Sequence, residues 1–326
     1  MKAALIGLSL VLWMFSGVPA GSAERPPQVG ILSPLPSAAV SSPPFEAFRA
    51  GLRELGYDEG RNIRLVYRWA DGSGERLAGF ASELVRLKVD VLLTAPGTLT
   101  ALAALKATAT IPIIFVGVGD AVGLGIVEHL AHPGGNATGL VNESQDSAGK
   151  QLEILTEALP RLSRVGVLWR PSNPSYKDLI HRFDDVVRAR AVQVVLLAAE
   201  TPEDLVSAFQ TVKRRRIQGL VVQADELFIR EGRRIVDLAA ASRVPAIYRL
   251  GDQAALGGLM AFGPRIPDMY RRAASYVDKV LRGAKPADLP VEQPTRFELV
   301  INLKTAKALG ITFPPSIRVR ADQVIQ

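Results

Sequence analysis

Small polar and charged side chains recur in this sequence directly after short apolar segments. Chemistry is expected at such positions, because ligands bind beyond the carboxyl ends of parallel strands in open α/β sheets. A carboxylate there suits an ammonium group, an arginine fork suits a carboxylate, and a Gly-Thr pair can open a helix whose free amides attract anions. The candidate ligand-binding residues are Ser33, Pro96, Gly97, Thr98, Gly119, Asp120, Asn142, Ser144, Asn173, Asp225 and Arg249.

Several of these candidates also fit a purely structural role, and the sequence leaves both interpretations open. Thr98 fits a helix N-cap, and Asp120 fits the cap of a short helix near 124–130. Asn173 precedes Pro174, which is typical of an N-cap followed by proline in the first turn. Arg249 fits an exposed surface position equally well.

The sequence contains none of the common catalytic or metal-binding motifs considered below. The chain has no cysteine, which excludes disulfides, thiol catalysis and cysteine-based zinc sites. His129 and His132 fit surface positions beside the turn at 133–135 better than a metal site. No Gly-x-Ser-x-Gly elbow and no Walker loop occurs. We therefore predict no catalytic residues, no metal site and no cofactor.

The positive charge of the chain is diffuse. Lysine and arginine number 39 against 32 acidic residues, for a net charge of +7. The densest basic cluster, at 213–216, ends a predicted helix, where cations suit the helix dipole. A nucleic-acid surface would combine basic residues with aromatic side chains and a known motif. We expect no nucleic-acid partner.

The elements that position the candidates occur twice along the chain. Between the apolar segments, apolar residues recur at helical spacing, as at Phe45, Phe48 and Leu52. Strands that alternate with helices predict parallel sheets covered on both faces. A repeat of about a hundred residues is a whole domain rather than a solenoid unit. The segments at 29–32, 63–67, 90–94 and 111–116 are matched by those at 165–168, 193–197, 219–222 and 244–248.

The repeat predicts an α/β fold of two similar, doubly wound parallel-sheet lobes. Several crossings of the chain between the lobes would form a hinge, and a small ligand would bind in the cleft. Asn142 and Ser144 would line its hinge side. We expect the first lobe to comprise 27–140 and about 258–290, with 258–262 returning the chain to it. The second lobe would comprise 141–257 and about 291–326.

The first 23 residues have the pattern of a secretory signal peptide. Lys2 precedes an apolar stretch at 3–18, and small residues follow at 21–23. The apolar stretch is shorter than the roughly 20 residues that a bilayer-spanning helix requires. We therefore expect cleavage near Ala23 and a periplasmic protein rather than a membrane anchor.

Several further segments are distinctive enough to indicate a family. Together they extend over almost all of the chain after residue 23. The chain resembles the type I periplasmic substrate-binding proteins of ABC transporters, and among them the family that includes tryptophan- and other aromatic amino-acid-binding members. The segments are 48–57 (FRAGLRELGY), 59–63 (EGRNI), 67–70 (YRWA), 109–113 (ATIPI), 133–139 (PGGNATG), 285–291 (KPADLPV) and 294–306 (PTRFELVINLKTA).

The resemblance implies the solute-binding component of an importer that closes its lobes on a small molecule, with an amino acid as one candidate. Its partners would be the ligand and the ABC permease subunits in the inner membrane, and the protein would be a monomer. The resemblance also favours Asp120 as a ligand contact. The alternative is an exported ligand sensor of the same fold that docks on a membrane receptor. An enzyme is not expected.

Overall fold

The computed structural model describes residues 25–142, 147–177, 181 and 183–326. The predicted signal peptide and Ser144 lie outside the described residues. Two β-sheets organise the chain, one of five strands and one of seven.

The five-stranded sheet is entirely parallel, with the strand order β2-β1-β3-β4-β5. Its central strands are fully buried because helices cover both faces, as the unbroken apolar segments predict. The strands are β1 (Gln28–Ser33), β2 (Arg64–Trp69), β3 (Val91–Thr94), β4 (Ile113–Val118) and β5 (Ala137–Val141).

The seven-stranded sheet has the order β12-β11-β10-β9-β8-β6-β7. All of its pairings are parallel except that of β10 with β11. The strands are β6 (Arg164–Trp169), β7 (Gln193–Ala198), β8 (Gly219–Val222), β9 (Ala246–Tyr248), β10 (Met260–Pro264), β11 (Phe297–Asn302) and β12 (Gln323–Ile325).

Twelve α-helices of the described residues connect or cover these strands. They are α1 (Pro43–Glu54), α2 (Gly74–Arg86), α3 (Thr98–Ala107), α4 (Ser147–Ala158), α5 (Asp184–Arg190), α6 (Asp204–Arg214), α7 (Glu226–Arg230), α8 (Gly232–Ala241), α9 (Gly251–Ala255), α10 (Ile266–Leu281), α11 (Leu303–Leu309) and α12 (Pro315–Arg320).

The internal repeat appears in the sheets as a shared strand order. The order β7-β6-β8-β9-β10 in the second sheet repeats the order β2-β1-β3-β4-β5 in the first. The expected fold of two doubly wound lobes is confirmed. We call the five-stranded sheet with α1–α3 and α10 the first lobe, and the seven-stranded sheet with its helices the second lobe.

One expectation about the lobe boundaries was wrong. We expected residues 258–262 to return the chain to the first lobe, but β10 pairs with β9 and β11 in the second sheet. In the repeat, β10 corresponds to β5, so it is the last parallel strand of its lobe rather than a crossing. The chain returns only at α10, which packs against α1.

Helices α1 and α10 pack closely because Gly51 of α1, which has no side chain, lies where the two helices meet. A Cβ atom at Gly51 would lie 2.9 Å from both the Cβ of Ala274 and the carbonyl oxygen of Arg271. Both helices present apolar residues to the first sheet, including Phe45, Phe48 and Tyr270. This packing brings α10 to the edge of the first lobe that faces the second.

The chain passes between the lobes after β5, after β10 and between Pro286–Asp288 and β11. Arg249, at the end of β9, is 2% exposed and its Nη2 donates to the carbonyl oxygen of Asn142, 2.5 Å away. This bond ties the second lobe to the start of the first crossing. Among the described residues, no helix has the length and apolar character needed to traverse a bilayer.

Candidate ligand-binding site between the lobes

A cavity lies between the lobes, at the carboxyl ends of the strands in both sheets. Residues from the loops after β1, β3, β4, β6, β8 and β9 meet there, as the geometry of parallel sheets predicts. Among its lining residues are Pro96, Gly97, Thr98, Gly119, Asn142, Asn173, Ser175, Tyr176, Asp225, Glu226 and Asp252.

The first lobe contributes an apolar wall to the cavity. Leu35 comes from the loop after β1, and Phe45 from the first turn of α1. Ile266, Met269 and Tyr270 come from α10. The packing of α10 on α1 thus joins distant parts of the sequence into one surface, which suits the apolar body of a ligand.

The second lobe contributes the carboxyl groups of the cavity. Asp225, Glu226 and Asp252 line it, and none of its described lining residues is lysine, arginine or histidine. Asp252 is an exposed residue, but partial desolvation of its carboxyl group raises the carboxyl pKa. The cavity therefore combines an apolar wall with an acidic side, a composition that suits a ligand with an apolar body and a positively charged group.

Asp225 is buried and already has several partners. Its Oδ1 accepts from the backbone amide of Leu227 at 2.8 Å, which makes Asp225 the N-cap of α7. Its Oδ2 accepts from Nδ2 of Asn173 at 2.8 Å, and Nη1 of Arg170 lies 3.6 Å from Oδ1. These contacts fix the carboxylate at the edge of the cavity.

Glu226 follows Asp225 and reaches the first lobe. Its Oε1 accepts from the backbone amide of Leu99, 3.2 Å away in the first turn of α3. Its Oε2 is buried and has no hydrogen-bond partner among the described residues. Burial, followed by the nearby charge of Asp225, raises the pKa of the Glu226 carboxyl to about 8.

The lobes also meet at side-chain hydroxyls beside the cavity. Oγ1 of Thr98 and Oγ of Ser175 are 2.8 Å apart, and the amide of Gly119 donates to Oγ1 of Thr98 at 3.1 Å. The contact between Thr98 and Ser175 and the hydrogen bond between Glu226 and Leu99 both join the two lobes. We call the arrangement of the lobes that contains these two contacts the closed arrangement.

Three glycines of the first lobe receive side chains from the second lobe in the closed arrangement. A Cβ atom at Gly97 would lie 2.1 Å from Oε1 of Glu226, and one at Gly119 would lie 2.8 Å from Oγ of Ser175. A Cβ atom at Gly72 would overlap the guanidinium of Arg230. The contact at Gly119 has the least room for a Cβ atom, because Ser175 meets it with its own Cβ, whereas the long side chains of Glu226 and Arg230 could shift.

The structure brings seven of the predicted site residues to the cavity. They are Pro96, Gly97, Thr98, Gly119, Asn142, Asn173 and Asp225.

Three predicted residues do not line the cavity. Ser33 is buried, with its Oγ accepting from the amide of Leu35, and Arg249 is committed to the carbonyl of Asn142. Asp120 accepts from the amide of Gly123 at 2.8 Å. This bond corresponds to the capping role that the sequence left open beside a role as a ligand contact. Asp120 caps a turn, because no helix forms at 124–130.

Sequence reasoning did not select Ser175, Glu226, Asp252 or the apolar wall. Asp225 and Glu226 are adjacent acidic residues that follow an apolar segment, and this position was the signal that could have identified Glu226. Only Asp225 was predicted as a ligand-binding residue. Phe228 and Tyr248, two aromatic residues near the ends of strands in the second lobe, belong to its core. The aromatic rings at the cavity are those of Phe45, Tyr176 and Tyr270.

Comparison with known proteins places this architecture in a family. Residues 31–325 match the profile described as ABC transporter substrate binding protein. The chain belongs to this family. Its relatives are substrate-binding proteins of ABC transporters rather than enzymes. One relative of this substrate-binding protein is the tyrosine-binding protein of Clostridioides difficile strain R20291, which is 28% identical over 266 residues, or 82% of this chain and 76% of the relative.

Solved structures of similar proteins share the fold of this substrate-binding protein. A conserved domain protein from Vibrio cholerae superposes with a TM-score of 0.85 at 27% identity, over 92% of this chain and 100% of that chain. A domain from Streptococcus pneumonia, solved in complex with L-Trp, superposes with a TM-score of 0.84 at 25% identity, over 92% of this chain and 99% of that chain.

Proposed function

We propose that this protein is the extracytoplasmic solute-binding component of an ABC importer and that its ligand is an apolar, aromatic α-amino acid. The observation that carries the proposal is the composition of the cavity between the lobes. An apolar wall from the first lobe faces three carboxyl groups from the second lobe. An aromatic amino acid presents an apolar body and an ammonium group to the same two surfaces.

The ligand's ammonium group would contact the acidic side of the cavity. Charge-assisted hydrogen bonds to Glu226 and Asp225 satisfy its donors. The carboxylate would be held by neutral donors, since hydroxyl and amide side chains line the same cavity at Ser42, Thr98 and Asn142. Oδ1 of Asn142 has no hydrogen-bond partner among the described residues, so this oxygen is available to accept a hydrogen bond from the ligand's ammonium group.

Two relatives support this class of ligand. The relative from Clostridioides difficile is a tyrosine-binding protein, and the similar domain from Streptococcus pneumonia was solved with L-Trp. Identities of 28% and 25% support a common fold but do not fix the residues that contact a ligand. We therefore assign a ligand class rather than one amino acid.

Transport would follow from closure of the lobes on the ligand. A ligand that contacts both lobes binds the closed arrangement more tightly than an open one, and this differential affinity shifts the population toward closure. The closed protein would present both lobes to the permease subunits in the inner membrane. We also propose that the protein acts as a monomer.

The ligand class is tested by calorimetric titration of the purified mature protein. L-Tryptophan, L-tyrosine and L-phenylalanine are expected to bind, because each carries an ammonium group and an aromatic body. 3-Indolepropanoate lacks only the ammonium group of tryptophan and is expected to bind at least tenfold more weakly, for a loss of about 1.5–3 kcal/mol. Equal binding of L-tryptophan and 3-indolepropanoate would contradict an acidic ammonium site, and the absence of binding by all three amino acids would reject the ligand class.

Export is a separate prediction. The mature chain is expected to begin near Glu24 and to be recovered from the periplasmic fraction, because the first 23 residues have the signal-peptide pattern. N-terminal sequencing of the protein from that fraction checks the cleavage site. Recovery of an uncleaved chain from the inner membrane would refute this prediction and favour a membrane anchor.

A further inference from the structure

Glu226 carries a carboxyl group from the second lobe to the surface of the first. The residue is only 5% exposed in the closed arrangement. One of its oxygens accepts from the amide of Leu99 in α3, and the other is buried without a hydrogen-bond partner among the described residues. A buried oxygen without a partner is costly when the group is ionised.

The burial of this carboxyl group depends on contact between the lobes. Its Oε1 lies against Gly97, so closely that a Cβ atom there would be 2.1 Å away. Gly97 and Leu99 both belong to the first lobe. Separation of the lobes removes these neighbours and returns the carboxyl group to water, so closure imposes a desolvation cost on its ionised form.

The charges around Glu226 do not offset that cost. Asp225 precedes it and repels its ionised form, and Asp252 of α9 is a further carboxyl group at the same cavity. Arg170 attracts the charge of Glu226, but it lies within ion-pair distance of Asp225 and Glu200. The amide of Leu99 and the N-terminal end of α3 favour the ionised form. Burial and Asp225 prevail over these contacts, and the carboxyl pKa is raised.

We propose that Glu226 is a charge check on closure: its carboxylate opposes closure of the lobes without a ligand, and either a positively charged ligand group or a proton removes that opposition. This inference rests on the lobe closure proposed above but not on the identity of the ligand. It assigns to Glu226 a role in keeping the ligand-free protein open, in addition to any contact with the ligand.

The direction of the pH dependence follows from the two arrangements. The carboxyl pKa is higher in the closed arrangement than in an open one, where the group is solvated. Proton uptake therefore favours closure, and the effect is lost as the pH rises through the raised pKa. Between the two pKa values, the closed-to-open ratio of the ligand-free protein increases up to about tenfold for each pH unit of acidification.

The experiment measures the distance between the lobes in the ligand-free protein. Because the chain has no cysteine, Glu75→Cys in the first lobe and Arg233→Cys in the second introduce two unique, exposed spin-label sites. Pulsed electron paramagnetic resonance then gives the distance distribution between pH 9 and pH 5. L-Tryptophan at pH 8 serves as the probe for ligand-induced closure.

We expect the short-distance population of the ligand-free protein to grow as the pH falls. Glu226→Gln should raise that population at pH 8–9 and abolish its pH response. Glu226→Ala removes the same charge and provides a second variant, with circular dichroism as the check on folding. Glu203→Gln is the matched control, because it removes the charge of an exposed carboxyl group of the same lobe that does not line the cavity, and it should keep the pH response.

Two kinds of result separate this inference from the proposed function. If L-tryptophan shortens the distance but pH does not, the charge check is refuted while closure stands. The same conclusion follows if Glu226→Gln keeps the pH response or if Glu203→Gln abolishes it. If neither pH nor L-tryptophan, at a concentration that saturates the protein in calorimetry, changes the distance in any variant, closure is refuted and the charge check with it.

Discussion

Replacing Asp225 with alanine is expected to lower the free energy of unfolding by about 2–4 kcal/mol and to weaken the binding of L-tryptophan at least tenfold. The stability loss has two sources. The amide of Leu227 loses its N-cap, and the buried Nδ2 of Asn173 loses its acceptor. The affinity loss follows from removal of a carboxylate that lines the cavity. Denaturant unfolding and calorimetric titration measure the two effects separately.

Two variants control the Asp225 prediction. Asp225→Asn keeps an oxygen for the cap but removes the charge, so it should lose affinity while destabilising the protein less. Asp120→Ala should leave affinity unchanged and cost about 0.5–1 kcal/mol, because the local bond from Gly123 is the side-chain hydrogen bond that Asp120 accepts among the described residues. If Asp225→Ala keeps full affinity in its folded fraction, Asp225 is a cap alone. A tenfold loss in Asp120→Ala would restore the sequence-based assignment.

Gly119→Ala is expected to weaken binding roughly 5- to 150-fold, which corresponds to about 1–3 kcal/mol of overpacking in the closed arrangement. The added Cβ would lie 2.8 Å from both Cβ and Oγ of Ser175 in the opposite lobe. Gly119 does not have a positive φ, so alanine introduces no backbone strain. The thermal stability of the ligand-free protein should therefore stay close to that of the parent, while calorimetry reports the loss of affinity.

A second substitution distinguishes a steric block from a general perturbation. Adding Ser175→Gly to Gly119→Ala removes the atoms that the new Cβ meets, and it should recover part of the affinity. Gly79→Ala is the matched control, because a Cβ at this position of α2 meets no atom within 4 Å. Its affinity should equal that of the parent. Unchanged affinity in Gly119→Ala would mean that the lobes do not meet here when ligand is bound.

The two sheets were predictable because the pattern that identifies each strand lies within the strand's own short segment of sequence. Each buried strand is a short apolar segment, and the repeat of these segments predicted two similar lobes, which the structure shows to share one strand order. The strand at β10 was placed in the wrong lobe because a single apolar segment does not say which sheet it joins. Its pairing with β9 and β11 depends on tertiary contacts.

The candidate site was predictable only in part. Pro96, Gly97 and Thr98 follow a strand, and the parallel topology alone brings such positions to the cleft. The apolar wall depends on the packing of α10 against α1, more than two hundred residues apart in the sequence, and no local pattern encodes that contact. Glu226 becomes buried only where the lobes meet, so neither its partner at Leu99 nor its raised pKa can be inferred from spacing.

The carboxyl groups that line the cavity all come from the second lobe, whereas most of its apolar lining comes from the first. In the proposed function, Leu35, Phe45 and Met269 of the first lobe would contact the apolar body of the ligand, and the carboxyl groups of the second lobe would contact its ammonium group. Substitutions in the apolar wall of the first lobe would then change which ligand binds without altering the carboxyl groups of the second lobe. The same separation suits biosensor engineering, in which a redesigned wall would recognise a new amine while the original movement still generates the signal.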